Sequence, residues 1–363
     1  MEKEMYLVLE NGEVFKGKSF GADQEAAGEV VFTTGMAGYL ETLTDPSYCG
    51  QIVVQTFPMI GNYGLISSDF ESRKSYVKAY IVREWCQEPS NFRCEGTIDT
   101  FLKQEGIIGL YGIDTRRLTK ILRENGTMSG CIVRNLEDAP KLRAQSEVQD
   151  RRRPVDEVTC RAVRMEGPEQ TDKTVAVLDL GMTECFNRYL TERGCRVIVL
   201  PAHTKAEEVL SYQPDGILLS NGPGNPQDYP DIIREVSALV QSGLPVFGID
   251  LGHLILAASQ GARTVKLKHG HRGDNQPVRY LPTGRVYISS QNHSYAVDPD
   301  GIPDNAQMTF ANLNDGSCEG LEYRDYPAFS VQFRPGNGEG TLDTGFLFDH
   351  FMEMMEVHAH AAE

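Results

Sequence analysis

Two patterns of hydrophobic and polar positions follow one another along the chain. From residue 1 to about 150, short β-like runs alternate with Gly, Pro and Asp turns, as in Tyr6–Glu10, Glu29–Thr33, Gln51–Phe57 and Ala79–Arg83. Helical spacing occurs over Thr97–Gln104 and Asp114–Arg123; the second stretch opens on an Asp114-Thr115 cap and closes at Asn125-Gly126. From Leu136 to Lys173 the chain is polar and without clear period, which predicts a connecting segment, with 151–173 as the linker proper. Beyond Thr174 the apolar runs become short and continuous: Val175–Gly181, Arg196–Pro201, Gly216–Ser220 and Pro245–Ile249, with helical spacing over Arg188–Arg193. Strands that are apolar on both faces and separated by helices predict a mainly parallel, doubly covered sheet. The fold class expected is α/β, with a mixed α/β domain over 1–150 and a second α/β domain over 174–363. In such a sheet ligands gather beyond the carboxyl ends of the strands, where Ser220–Asn225 and Asp250 fall.

Composition narrows the field. A chain of 363 residues exceeds what one core usually serves, so two domains are expected. No apolar run approaches the roughly 20 residues that span a bilayer. The charged start Met1-Glu2-Lys3-Glu4-Met5 runs straight into a strand pattern, so no secretory signal is expected and the location expected is cytoplasmic, without membrane contact. A net charge of −16 argues against a nucleic-acid partner. The basic run Arg151-Arg152-Arg153-Pro154 reads as solvated linker. Eight cysteines without a CxxC pair suggest reduced, mostly buried thiols and no zinc site. His269 and His271 have metal-like spacing, but no carboxylate or third His lies at suitable spacing, so no metal is expected. His253 is expected to pack locally, and His358-Ala359-His360 to be a frayed polar tail.

The chemistry concentrates at Pro245-Val246-Phe247-Gly248-Ile249-Asp250-Leu251-Gly252-His253-Leu254. A buried strand, a Gly-flanked turn and an apolar helix form the kind of elbow that exposes a nucleophile beside a backbone N–H. Its apex is Asp250, whereas acyl transfer from an amide normally needs a thiolate or an activated hydroxyl.

This segment resembles the nucleophile elbow of class I glutamine amidotransferases, G-[IV]-C-L-G-H-Q. The whole chain resembles the small subunit of carbamoyl-phosphate synthetase. In the first half the likeness rests on Gly28–Tyr39, Leu43–Tyr48, Pro58–Gly64 and Gly112–Thr119. In the second it rests on Leu219–Pro226, the elbow, Gln291-Asn292-His293 and Leu347–Phe351. The resemblance implies a catalytic Cys at the elbow and a His and Glu in a later H-P-E triplet. Those positions hold Asp250, Arg334 and Gly336, so nucleophile, base and orienting group are all replaced. An arginine stays protonated and cannot act as the base.

The resemblance also implies a glutamine pocket at Ser47, Gly222, Gly224, Leu251, Leu254, Asn292, Ser294 and Tyr295. Leu254 replaces a Gln whose amide would bind the substrate, Ser294 replaces a Gly and adds bulk, and Tyr295 for Phe is mild. Two members have plainer readings: Gly222-Pro223-Gly224 as a tight turn, and Ser47 after Asp45-Pro46 as a cap. Where the family's Cys and His would meet, Asp250 and Arg334 are expected to form a charge-assisted, forked pair.

The function implied is that of a carbamoyl-phosphate synthetase small subunit. It would bind the large subunit through its N-terminal domain, with ATP and Mg on that large subunit and no cofactor on this chain. The large subunit would form carbamoyl phosphate from bicarbonate, ATP and glutamine or ammonia, for arginine and pyrimidine synthesis. Glutaminase activity of this chain is expected to be lost. The alternatives are a repurposed pseudoenzyme that senses a small metabolite in the old pocket or regulates another protein, or a glutaminase using Asp250, which lacks a base.

Overall fold

A computed structural model describes residues 3–149, 153–336 and 342–362, in two compact units, Met1–Arg152 and Arg153–Glu363. Arg151 and Arg152 of the basic run lie outside the described residues.

In the first unit seven strands close a barrel in the order Glu4–Leu9, Val14–Gly21, Ile108–Tyr111, Ala79–Ile81, Ile52–Gln55, Ala26–Thr33 and Met128–Val133. Alternation builds it: Met5, Leu7 and Leu9 point into one core with Val30, Ile52, Val54, Ile108 and Ile132. The helix Thr115–Asn125 covers that core with Leu118 and Leu122, and Asp114 accepts from the Arg117 N–H at 2.9 Å as the cap anticipated. The helix Ile98–Gln104 starts on Thr97, also as its pattern suggested.

The second unit is built on a ten-stranded sheet. Five strands run parallel, in the order Arg196–Pro201, Thr174–Asp179, Gly216–Leu219, Val246–Ile249 and Ala328–Val331. Apolar clusters cover both faces, one around Leu178, Leu219 and Leu254 and the other around Val177, Phe247 and Phe348. The sheet then continues antiparallel through Cys318–Tyr323, Val286–Val297, Thr264–Tyr280 and Ala306–Asn312. The expectation of a mainly parallel sheet therefore describes its central half. The antiparallel part includes a long hairpin of 17 and 12 residues whose mixed polar pattern gave no continuous apolar run.

The polar stretch expected as a linker is largely folded. Residues Ala139–Gln149 are helical, Val155–Val158 form a short helix, and Arg164–Glu166 pair antiparallel with the edge strand Arg196–Pro201. Edge strands and one-sided helices need few apolar residues, so their pattern resembles a linker. Arg153 is not merely solvated: it pairs with Asp231 at 2.6 Å and lies 5.0 Å over the Tyr229 ring. The C-terminal histidines are likewise not a frayed tail. His358 belongs to the helix Phe346–Ala362, held by buried Leu347, Phe348, Phe351, Met352 and Met355.

Candidate functional site

The strand Val246–Ile249 delivers Asp250 to the helix Leu251–Ser259 at φ +55°, ψ −109°, a region disallowed to most side chains. Two glycines make the turn possible. A Cβ on Gly248 would sit 2.8 Å from the Gly252 carbonyl oxygen, and one on Gly252 only 2.2 Å from that of Leu219. The Asp250 N–H donates to the Val331 carbonyl at 2.9 Å and the Gly252 N–H to that of Ser220 at 3.0 Å, fixing the apex between neighbouring strands. The elbow expected from the sequence is formed.

Around the apex, Asp250 and Arg334 are only 2% and 5% exposed, with Arg334 Nη2 at 3.8 Å from Asp250 Oδ2. The two positions do meet. At that distance the contact is an ion pair, longer than the forked hydrogen bond anticipated. Gln332 Nε2 donates to the other oxygen, Asp250 Oδ1, at 3.2 Å. The sequence reading overlooked Gln332, although the signal was there: Gln332 and Arg334 alternate with Phe333, which faces the core. Arg334 is itself held by its N–H to the Ser290 carbonyl at 3.0 Å. Gly336 follows at φ +66°, its N–H donating to Thr344 Oγ1 at 3.3 Å.

Of the remaining pocket positions, Leu251 and Leu254 are buried within the apolar cluster on one face of the sheet. A Cβ on Gly222 would lie 2.1 Å from the Leu180 carbonyl oxygen, and Gly224 has φ +99°, so close backbone approach and a positive φ call for glycine at both positions. Asn292 is buried opposite Arg272 on the long hairpin. Ser294 Oγ accepts from Arg272 Nη2, and partly buried Tyr295 packs against the core. Ser47 lies in the first unit as part of a turn, where the Asp45 carboxylate accepts from its N–H at 2.8 Å. His253 packs as expected: its Nδ1 lies 2.8 Å from Ser330 Oγ, and burial pushes its pKa down to about 3.

One inference from spacing fails. His271 does meet a second histidine and carboxylates, with His293 and Glu319 brought by other strands and Asp315 by a turn. His271, His293 and Glu319 are buried, with potential ligand atoms within 4.8 Å of one another. The donors are already engaged. His271 Nδ1 lies 3.2 Å from Glu319 Oε1 and its Nε2 2.9 Å from Asp315 Oδ2, while His293 Nε2 lies 3.1 Å from Gln291 Oε1. Burial alone would lower the pKa of His271, but the two carboxylates outweigh it and raise it to about 9. The two flanking carboxylates therefore favour the protonated form of His271. His293, buried beside that charge, is held well below the ordinary histidine value.

Comparison with known proteins agrees with these features. Residues 7–132 match the family "Carbamoyl-phosphate synthase small chain, CPSase domain", and residues 176–354 match "Glutamine amidotransferase class-I". The chain is 47% identical over 350 residues to the carbamoyl phosphate synthase small chain of Clostridium perfringens, covering 96% of this chain and 98% of that one. It is 46% identical over 355 residues to the small chain of Fusobacterium nucleatum, with the same coverage of each. The chain belongs to the carbamoyl-phosphate synthase small chain family. As a small chain it keeps the elbow backbone, and the Asp250–Arg334 pair now fills the apex of that elbow.

Proposed function

We propose that this chain is a small subunit of carbamoyl-phosphate synthase that no longer hydrolyses glutamine and instead supports a large subunit working on free ammonia. The buried Asp250–Arg334 ion pair carries this reading, because it occupies the place where the family's thiol and its base would face each other. In a related triad system, disabling the unit costs on the order of 10⁶ in turnover. Leu254 adds to the argument: a site meant to pair a polar substrate loses orders of magnitude when a buried hydrogen-bonding partner becomes apolar.

Docking is assigned to the first unit. Besides Val14 at 41% and Leu136 at 49%, three exposed large apolar side chains among the described residues of this unit lie on neighbouring segments, Met36 at 77%, Met59 at 40% and Phe92 at 97%. The segments that bear them converge on the turn Pro58–Gly64: Tyr63 Oη accepts from the Gly38 N–H at 3.1 Å, and the Ser90 N–H donates to the Asn62 carbonyl at 3.1 Å. Exposed aromatic and Met residues on a braced surface are the composition of interface cores. The test is copurification with a large subunit, followed by carbamoyl phosphate assays with each nitrogen source. Formation from ammonia but not from glutamine is expected. Glutamate release from glutamine at an enzymatic rate, abolished by Asp250→Ala, would refute the reading.

A further inference from the structure

Beside the Asp250–Arg334 pair, Gly336 lies against Tyr189 of the helix Glu184–Glu192. A Cβ built on Gly336 would sit 3.1 Å from Tyr189 Cζ, 3.2 Å from its Oη and 3.3 Å from Cε2. Two ring carbons and the hydroxyl oxygen bonded to one of them thus crowd the Cβ more closely than ordinary van der Waals contact, so a side chain at 336 fits only if Tyr189 gives way.

That residue is braced. The Tyr189 ring packs on Phe348 with centroids 5.2 Å apart, and Phe348 is fully buried against Phe186 at 6.0 Å and Phe247 at 5.7 Å. Behind it, Arg193 Nη1 donates to the Tyr189 carbonyl at 3.1 Å. Gly336 is held in turn by its bond to Thr344 and its φ of +66°. Neither partner of this contact is a loose end that could swing away.

We infer that Tyr189 closes the third position of the former triad, excluding a carboxylate-bearing side chain at 336. The inference rests on the reading that 250, 334 and 336 are the displaced catalytic positions. It adds that the loss is built into the packing of a helix remote in sequence. Replacing Asp250, Leu254, Arg334 and Gly336 with the family's Cys, Gln, His and Glu is therefore insufficient unless residue 189 also shrinks.

Thermal unfolding of the full-length chain tests the contact. Gly336→Ala is introduced into the parent, Tyr189→Phe and Tyr189→Ala backgrounds. The cost of a positive φ is common to all three and cancels. Gly336→Ala is expected to lower Tm by about 2–4 °C more in the parent and Tyr189→Phe chains than beside Tyr189→Ala. An equal drop in all three overturns the inference. A second measurement follows covalent labelling at position 250 by an electrophilic glutamine analogue in D250C/L254Q/R334H/G336E, with and without Tyr189→Ala. Labelling at least about tenfold faster with Tyr189→Ala is expected, and measurable labelling of both chains at equal rates overturns the closure. Labelling of neither chain, with the Tm coupling intact, upholds the closure and sinks the reading of the pocket as a former glutamine site.

Discussion

At the residue scale, charge burial dominates the site. Asp250 and Arg334 have both left water, and such pairs are costly to break even where they add little net stability. Arg334→Ala removes the guanidinium 3.8 Å from the Asp250 carboxylate and is expected to cost about 3 kcal/mol in urea unfolding. A variant as stable as the parent would remove the ion pair from the argument. His271 gives a second prediction, in pH. Its pKa is raised in the folded state to about 9 from an ordinary 6.5. A raised pKa means that the folded state holds the proton more tightly than the unfolded chain does. The stabilisation is therefore complete below pH 6.5 and is lost as pH rises through 9. It is worth on the order of 3 kcal/mol at most. Urea midpoints measured from pH 6 to 10 should fall more steeply for the parent than for His271→Gln over that window. Parallel curves would mean that His271 stays neutral.

At the scale of elements, the elbow is a matter of backbone clearance. Strand and helix approach so closely at Gly252 that an added Cβ would lie 2.2 Å from a main-chain oxygen, which cannot move as a side chain could. Gly252→Ala is expected to destabilise the second unit by at least about 3 kcal/mol, in the tail reserved for core overpacking and strain. Gly243→Ala has open space around its Cβ but φ +82°, so it isolates the conformational cost, about 1 kcal/mol. Calorimetry finding the two equally mild would show that the helix can shift away from the strand. The same elbow geometry explains why an aspartate is tolerated at the apex: short polar residues visit positive φ more readily than most.

For the whole molecule, the proposed division of labour is a braced docking surface in one unit and a sealed apex in the other. Phe92 is 97% exposed and so adds little to the stability of this chain. Phe92→Ala should leave Tm within about 1 °C while weakening assembly with a large subunit by roughly tenfold or more if Phe92 is an anchor. Sedimentation of the mixed subunits measures both the parent and the variant complex. Unchanged assembly would move the interface away from the Pro58–Gly64 turn, without touching the argument about glutamine.

What the sequence determined by itself is local chemistry. The Asp114 cap, the apolar runs of the central strands and the Gly248–Asp250–Gly252 elbow were legible because each depends on neighbours within a few positions. The substitutions at 250, 334 and 336 were equally legible once the family's motifs were recognised. The tertiary structure decided everything that depends on partners from distant strands. The edge strand Arg164–Glu166 looked like linker because an edge needs little apolar pattern. Glu319 and His293 reach His271 from separate strands, which no local spacing could reveal, and together they turn a metal-like pair into an imidazolium–carboxylate cluster. Gln332 became part of the apex, and Tyr189 the wall behind Gly336, only when the sheet and its covering helix packed together. Local interactions are encoded in sequence order, whereas burial and charge pairing are set by which surfaces the folded chain brings into contact.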